Sequence, residues 1–204
     1  LHIAYRALGI SNAISTPFSY VATSSSLAWE QIPFTFADID NRSLNLCPKK
    51  VADKLDINTN IDSIIATHVY GNPCDLEYFE KLKNKYKIKL IYDGAHAFNV
   101  RYGSESVLKY GDATTLSFHA TKVFNTFEGG AIISHDKDMK TRIDQLKNFG
   151  FAGETSVQQF GINGKMNEFS SALGLLQLKN VNKDIEKRKK IDEAYRNYLK
   201  DIPG

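Results

Sequence analysis

The chain has 204 residues, of which 42% are hydrophobic and 24% charged, and its formal net charge is +3 at pH 7. These values are typical of a globular protein with a core of its own, and so small a charge argues against a nucleic-acid partner. The only tight basic run, residues 187–190, is interleaved with acidic residues and predicts the solvent-exposed face of a helix.

The cysteines and the hydropathy pattern indicate the cellular compartment of the protein. Cys47 and Cys74 show neither the pairing of a disulfide framework nor the clustered histidines of a zinc site, so we expect no metal and a reducing cytoplasm. No apolar run has membrane-spanning length, and no signal peptide is visible. Because the chain begins at Leu1 and ends directly after a helical pattern, we expect part of a longer protein.

In chain order, short apolar runs alternate with helical patterns in the first half of the sequence. The predicted strands are 13–16, 34–39, 63–67 and 89–92, and the predicted helices are 20–29 and 76–86. The second of these helices follows Asp75, a residue type that caps helix N-termini. His68 follows an apolar strand, and we expect it to be a core residue with its hydrogen bonds satisfied.

The second half continues the alternation. It predicts strands at 113–118 and 131–134, followed by helices near 139–146, 169–176 and 184–200. Strands that alternate with helices indicate βαβ units around a mostly parallel sheet. The predicted fold class is therefore α/β, in a single domain.

The most informative stretch runs from Gly111 to Gly130. A buried strand leads into a polar bend that holds Ser117, His119 and Lys122. A lysine at the mouth of a strand is unusual for a surface charge, and a desolvated lysine suits Schiff-base chemistry. Because ligands of such sheets bind beyond the carboxyl ends of the strands, these residues are candidates for a site.

Asp93 ends an earlier strand and adds a carboxylate to the candidates. A pyridoxal phosphate enzyme needs a lysine for the cofactor aldehyde, an acid for the pyridine nitrogen and donors for the phosphate. Lys122, Asp93 and Ser117 could supply these three functions. Neither a G-x-G-x-x-G nor a G-x-x-x-x-G-K-[ST] motif is present, so dinucleotide and P-loop sites lack their main support.

Several strings, in this order and over nearly the whole chain, resemble the DegT/StrS-type sugar-nucleotide aminotransferases. They are P-F-S-Y-V-A-T (17–23), F-A-D-I-D (36–40), H-V-Y-G-N-P (68–73), Y-D-G-A-H-A-F (92–98), S-F-H-A-T-K (117–122), E-G-G (128–130) and G-I-N-G-K-M-N-E (161–168). The resemblance implies pyridoxal 5'-phosphate as cofactor and the aspartate-aminotransferase fold. That fold is the three-layer, mostly parallel large domain of the type I pyridoxal phosphate transferases.

The resemblance also implies roles for individual residues. Lys122 would form the aldimine with the cofactor and move the proton during transamination. Asp93 would pair with the pyridine nitrogen, and His96 would lie near the phenolic oxygen, where many relatives carry glutamine. A packed histidine without that role is the alternative for His96.

Three further residues would bind the cofactor. Ser117 would bind its phosphate, Tyr20 would lie against its ring, and Asn163 would reach the phosphate from the partner subunit. The last role implies a homodimer with shared active sites. Lys165 stands where relatives often carry arginine, and its role stays open.

The implied reaction is transfer of an amino group from L-glutamate to a nucleotide-linked keto-deoxysugar for surface polysaccharides such as O-antigen. A dTDP-4-keto-6-deoxyhexose is favoured as substrate, and 3-keto sugars are an alternative. A related sugar dehydratase would carry histidine in place of Lys122, which argues against that activity. A non-catalytic or truncated member of the fold is a further alternative. We expect residues 1–204 to be a large domain that lacks its N-terminal segment and its C-terminal small domain.

Overall fold

Six strands pair into one sheet in the computed structural model, which describes residues 1–202. The strands of the structure are β1 (Ala13–Ser15), β2 (Phe34–Phe36), β3 (Ser63–Thr67), β4 (Lys89–Asp93), β5 (Arg101–Tyr102), β6 (Glu105–Ser106), β7 (Ala113–Ser117) and β8 (Gly130–Ser134). The order in the sheet is β2-β1-β3-β4-β7-β8, and β5 pairs with β6 in a separate hairpin. All neighbours in the sheet are parallel except β7 and β8, which confirms the mostly parallel α/β prediction.

Helices connect the strands and follow the last of them. They are α1 (His2–Leu8), α2 (Ala22–Trp29), α3 (Pro48–Ile57), α4 (Leu76–Tyr86), α5 (Lys137–Leu146) and α6 (Glu168–Leu199). The carboxylate of Asp75 accepts a hydrogen bond from the Tyr78 N–H at 3.1 Å, so the predicted cap of α4 is confirmed. Among the described residues, no helix combines the length and the apolarity that crossing a membrane requires.

The sheet separates two hydrophobic cores, as the alternation of its side chains requires. Ile64 and Leu90 point into a core shared with α3 and α4. Their chain neighbours Ile65 and Ile91 point into the other core, which contains residues of α1, α2 and α5. Strands buried on both faces read as continuous apolar runs, and this is why β3 and β4 could be predicted from sequence. The predicted three-layer arrangement is confirmed.

The chain divides into two compact units. The first contains Leu1–Ser117 and Gly130–Lys165, and it holds both sheets and helices α1 to α5. The second contains Phe118–Gly129 and the chain from Met166 onward, and it holds α6. The candidate residues Asp93, His96 and Ser117 therefore lie in the first unit, whereas Lys122 lies in the second.

Two helical predictions need correction, and two helices of the structure were not predicted. The separate helices expected at 169–176 and 184–200 are one continuous helix, α6. No glycine or proline stands between 176 and 199 to end it, and polar residues alone do not break a helix. Helices α1 and α3 were not predicted. Both helices are short. Gly9 caps the C-terminus of α1 in the left-handed conformation, with φ 63°, and α3 begins with Pro48 and buries Val51 and Leu55.

Candidate functional site

Asp93 is the best-defined polar residue at the carboxyl edge of the sheet. It ends β4 and is only 6% exposed. Its Oδ2 accepts a hydrogen bond from Thr23 Oγ1 at 2.7 Å, and its Oδ1 accepts one from the Ala95 N–H at 3.1 Å. Both donors are neutral. Since buried charges are normally paired and each carboxylate oxygen has two lone pairs, Asp93 can accept a cationic donor such as a protonated ring nitrogen.

A row of hydroxyl groups leads to Asp93. Thr67 Oγ1 lies 3.2 Å from Ser19 Oγ, which in turn lies 2.6 Å from Thr23 Oγ1. Each hydroxyl has one proton, and Thr23 uses its proton on Asp93, so Ser19 donates to Thr23 and Thr67 donates to Ser19. The row therefore holds the Asp93 carboxylate in one orientation.

Sequence reasoning missed the roles of these three hydroxyl residues. Thr23 belongs to the string 17–23 and Thr67 ends β3, but neither was assigned a contact with Asp93. The register between β3 and β4 could have indicated Thr67, because Thr67 pairs directly with Asp93 in the sheet. Thr23 could be found only once α2 was placed beside β4.

Ser117 lies at the same edge as Asp93. It is the last residue of β7, two positions beyond Thr115, which pairs with Asp93. Ser117 is half-buried. Directly after Asp93, the backbone at Gly94 lies close to β7, and the Gly94 N–H donates to the Thr115 carbonyl at 2.9 Å. A Cβ at Gly94 would lie 2.8 Å from Thr114 Cγ2, so the edge is packed too tightly there for a side chain.

His96 follows Asp93 by three residues and is exposed. Its ring is nearly parallel to that of Tyr70, with a centroid distance of 6.4 Å and an interplanar angle of 7°. Tyr70 is 70% exposed and contacts Phe18 edge-on at 6.4 Å. Three aromatic rings from three separate loops thus lie near the carboxyl edge of the sheet.

His68 lies in the core, as predicted, and is fully buried. Its Nδ1 accepts the Cys74 N–H at 3.2 Å, and its ring stacks on Tyr92 at 4.6 Å. Its Nε2 has no hydrogen-bond partner among the described residues, so the expectation of satisfied hydrogen bonds is met at Nδ1 alone. Burial lowers the pKa of His68 to about 4, which keeps the ring neutral at physiological pH.

Tyr20 and Asn163 are exposed. Tyr20 precedes α2 and is 79% exposed. Asn163 forms an antiparallel bridge with Asn148 in the segment after α5. Lys165 donates to Asn148 Oδ1 at 2.7 Å and lies 5.1 Å above the Phe149 ring, so it stabilises the base of this segment. The exposure of Tyr20 and Asn163 leaves them available to a ligand or to another chain.

Lys122 lies in the second unit, within the loop 118–129. Its backbone N–H donates to the His119 carbonyl at 2.9 Å, and its carbonyl accepts from Asn125 Nδ2 at 3.3 Å. The loop is closed by the Thr126 N–H, which donates to the Phe118 carbonyl at 2.9 Å. Lys122 is half-buried. The loop thus holds the backbone of Lys122 in a defined turn.

Comparison with known proteins gives a consistent family assignment. The model of the DegT/DnrJ/EryC1/StrS aminotransferase family matches residues 1–204. A dTDP-4-amino-4,6-dideoxy-D-glucose transaminase of Shigella dysenteriae is 46% identical over 202 residues, which are 98% of this chain and 54% of the relative. A UDP-4-amino-4,6-dideoxy-N-acetyl-beta-L-altrosamine transaminase of Campylobacter jejuni is 34% identical, over 96% of this chain and 54% of the relative.

Solved structures share the fold. A crystal structure of DesI in the presence of its TDP-sugar product matches with a TM-score of 0.92 and 33% identity, over 99% of this chain and 51% of that chain. Helicobacter pylori PseC, an aminotransferase involved in pseudaminic acid biosynthesis, matches with a TM-score of 0.91 and 28% identity, over 99% and 56% of the two chains. The chain thus spans about half the length of the curated relatives it matches.

Proposed function

Because the chain belongs to the DegT/DnrJ/EryC1/StrS aminotransferase family, we propose that it provides the cofactor-binding part of a pyridoxal phosphate-dependent sugar-nucleotide aminotransferase. The observation that carries the proposal is the Asp93 carboxylate, which is buried at the carboxyl edge of a parallel sheet and accepts hydrogen bonds from the Thr23 hydroxyl and the Ala95 N–H. Bound pyridoxal phosphate supplies a carbonyl that condenses with amines and a ring that withdraws electrons.

Asp93 keeps the ring nitrogen of the cofactor protonated in this proposal. A carboxylate beside a protonated nitrogen stabilises the positive charge, and burial strengthens that interaction. The Thr23 hydroxyl and the Ala95 amide fix both carboxylate oxygens before the ligand arrives. Such preorganisation avoids a reorganisation cost at the moment of reaction.

The other candidates are proposed to bind and orient the cofactor. Ser117 donates its hydroxyl to the phosphate, and His96 donates a ring N–H to the phenolic oxygen. Tyr20 covers one face of the ring. Asn163 is proposed to serve a second copy of the chain by donating to the phosphate bound there, which makes the functional protein a homodimer. Support for these roles comes from the matching strings and from the exposure of Tyr20, His96 and Asn163.

Lys122 is proposed as the catalytic amine. Its amine would hold the aldehyde of the cofactor in the resting protein. Once the amino group of the substrate has displaced it, the freed amine would take a proton from one carbon and return it to another. A positioned amine of this kind contributes about 10²–10⁴-fold through general acid–base catalysis. The turn between His119 and Asn125 fixes the backbone of Lys122.

The proposed substrates are L-glutamate as donor and a dTDP-linked 4-keto-6-deoxyhexose as acceptor, for a surface polysaccharide sugar. The acceptor is supported by two relatives of 46% and 43% identity, from Shigella dysenteriae and Escherichia coli, that are dTDP-4-amino-4,6-dideoxy-D-glucose transaminases. The donor and the polysaccharide rest on the family resemblance. A 3-keto sugar is the competing acceptor.

A trapping experiment tests the cofactor and the lysine together. The protein is incubated with pyridoxal phosphate, its visible spectrum is recorded, and borohydride then fixes the cofactor to its amine for mapping by mass spectrometry. We expect the label on Lys122, its loss in Lys122→Ala and its retention in Lys109→Ala, an exposed surface lysine. A label elsewhere, or none in the full-length gene product, would exclude the proposal.

A substrate screen follows from a positive result. Glutamate and a set of nucleotide-linked 3-keto and 4-keto sugars are supplied to the full-length protein, and the appearance of 2-oxoglutarate and of the amino sugar is measured. We expect the dTDP-linked 4-keto sugar to give the largest kcat/KM. Preference for a 3-keto sugar would reverse the substrate assignment and leave the cofactor assignment intact.

A further inference from the structure

The turn between β3 and α4 is held in an unusual backbone conformation. Tyr70 has φ 53° and ψ 20°, in the left-handed region that residues other than glycine rarely adopt, and Gly71 follows with φ 83°. Such conformations persist only where the surrounding structure over-determines them, and they concentrate at functional sites. Groups around this turn therefore impose its conformation.

Asn45 is the group that spans the turn. It is 2% exposed, and its side chain bonds the backbone on both sides of Tyr70. Its Oδ1 accepts from the Val69 N–H at 2.8 Å, while its Nδ2 donates to the carbonyls of Asn72 and Pro73 at 3.2 and 3.0 Å. Three hydrogen bonds from one buried amide fix both ends of the turn.

The strand end below the turn adds two further restraints. The His68 N–H donates to the Asp93 carbonyl at 3.0 Å, and His68 Nδ1 accepts the Cys74 N–H at 3.2 Å. The turn is thereby fixed directly to the end of β4, the strand that carries Asp93.

The turn packs against His96. A Cβ added at Gly71 would lie 2.8 Å from the His96 carbonyl oxygen, so the two backbones approach too closely for any side chain. The Tyr70 ring lies nearly parallel to the His96 ring, at 6.4 Å and 7°. His96 is exposed, and the Tyr70 ring lies on one side of it.

We propose that Asn45 is a positioning residue that acts on His96 through the Tyr70–Gly71 turn. Asn45 sets the backbone of the turn, the turn places the Tyr70 ring, and the ring orients His96 for its hydrogen bond to the cofactor. The last step rests on the function proposed above for His96. A turn needed only for the fold would be served better by asparagine or glycine at 70, since both adopt the left-handed region readily.

The test measures His96 directly in the ligand-free protein. The ring C–H resonances of the five histidines are recorded by NMR, and His96→Gln identifies those of His96. We expect Asn45→Ala and Tyr70→Asn to shift the His96 resonances, whereas Tyr70→Phe keeps the ring and leaves them nearly unchanged. The matched control is Asn58→Ala, because Asn58 Oδ1 also accepts a backbone N–H, from Asn60 at 3.1 Å, in an exposed turn.

A second measurement reads the consequence for the cofactor. In the full-length protein, Asn45→Ala and Tyr70→Asn should weaken pyridoxal phosphate binding about threefold to tenfold and move the pH midpoint of its visible absorption in the same direction as His96→Gln, because a lost hydrogen bond of this kind has that magnitude. Asn58→Ala should change neither the affinity nor the midpoint.

The outcomes separate this inference from the proposed function. Unmoved His96 resonances in a folded Asn45→Ala protein would overturn the inference and show that Asn45 acts on stability alone. If Asn45→Ala does not fold, Asn45→Asp replaces it, because it keeps the acceptor for Val69 and lacks both donors. If neither variant folds, the inference is also overturned. Failure of the wild-type protein to bind pyridoxal phosphate would refute the proposed function. The His96 resonances of the ligand-free protein would still show whether Asn45 affects the contact between Tyr70 and His96.

Discussion

Asp93 lies at the end of a buried strand with both carboxylate oxygens hydrogen-bonded, whereas the hydrogen bonds that the described residues give Lys122 involve only its backbone. The acid is fixed by side chains from other elements, and the lysine by the turn in which it lies. This difference suits the proposed roles. A carboxylate that stabilises one charge gains from a single orientation, while an amine that carries a proton between two carbons must change rotamer.

Loss of Lys122, the proposed proton carrier, should have the largest effect on the reaction. Lys122→Ala is expected to lower kcat for the reaction with glutamate about 10³-fold, because the proton carrier is removed. Stopped-flow spectroscopy of the full-length protein with bound cofactor measures this rate. The control Lys109→Ala should retain the wild-type rate, and a rate for Lys122→Ala within tenfold of wild type would contradict the role of Lys122.

Loss of the Thr23 hydroxyl, which orients Asp93, should have a smaller but measurable effect on cofactor binding. Thr23→Val removes the hydroxyl that donates to Asp93, and a hydrogen bond to a charged group is worth about 1.5–3 kcal/mol. We expect weaker pyridoxal phosphate binding by about tenfold or more, measured by equilibrium titration. Thr23→Ser keeps the hydroxyl and should restore most of the affinity. Equal affinities for Thr23→Val and wild type would show that Asp93 does not depend on this donor.

The free energy of unfolding should depend on pH through His68. Its pKa in the folded protein is about 4, below the ordinary value of about 6.5, so the unfolded state binds more protons between these values. This contribution is complete above pH 6.5 and decreases as the pH falls towards 4, by up to about 1.4 kcal/mol per pH unit. Urea unfolding should show a steeper pH dependence of stability between pH 4 and 6.5 in wild type than in His68→Gln, and identical slopes would contradict the prediction.

The smallest effect is expected in the loop of the lysine. Asn125→Ala removes a neutral hydrogen bond to the Lys122 carbonyl, which is worth about 0.5–1.5 kcal/mol. Because the proposed role of Lys122 requires its side chain to change rotamer, the reaction should tolerate some freedom of the turn, and kcat should fall less than about tenfold. Steady-state kinetics measures this change. A loss as large as that of Lys122→Ala would show that the lysine needs a fixed backbone as strictly as Asp93 needs its donors.

The strands were predictable because their signals are local. Residues 63–67 and 89–92 are mainly apolar, as is usual for parallel strands that are buried on both faces. The cap at Asp75 is equally local, because donor and acceptor are three residues apart. Helix α3 was missed because its two buried side chains leave a weak period, although Pro48 at its start was a usable signal.

The α/β class, the strands that carry Asp93 and Ser117 near their carboxyl ends, and the strings that identify the family were predictable, because each depends on residues close together in the chain. The long-range contacts were not predictable: Thr23 donates to Asp93, 70 residues away, and Asn45 fixes a turn 24 or more residues away that packs on His96. Hydrogen bonds of this kind are specified by how helices and loops pack on the sheet, and no local pattern encodes that placement.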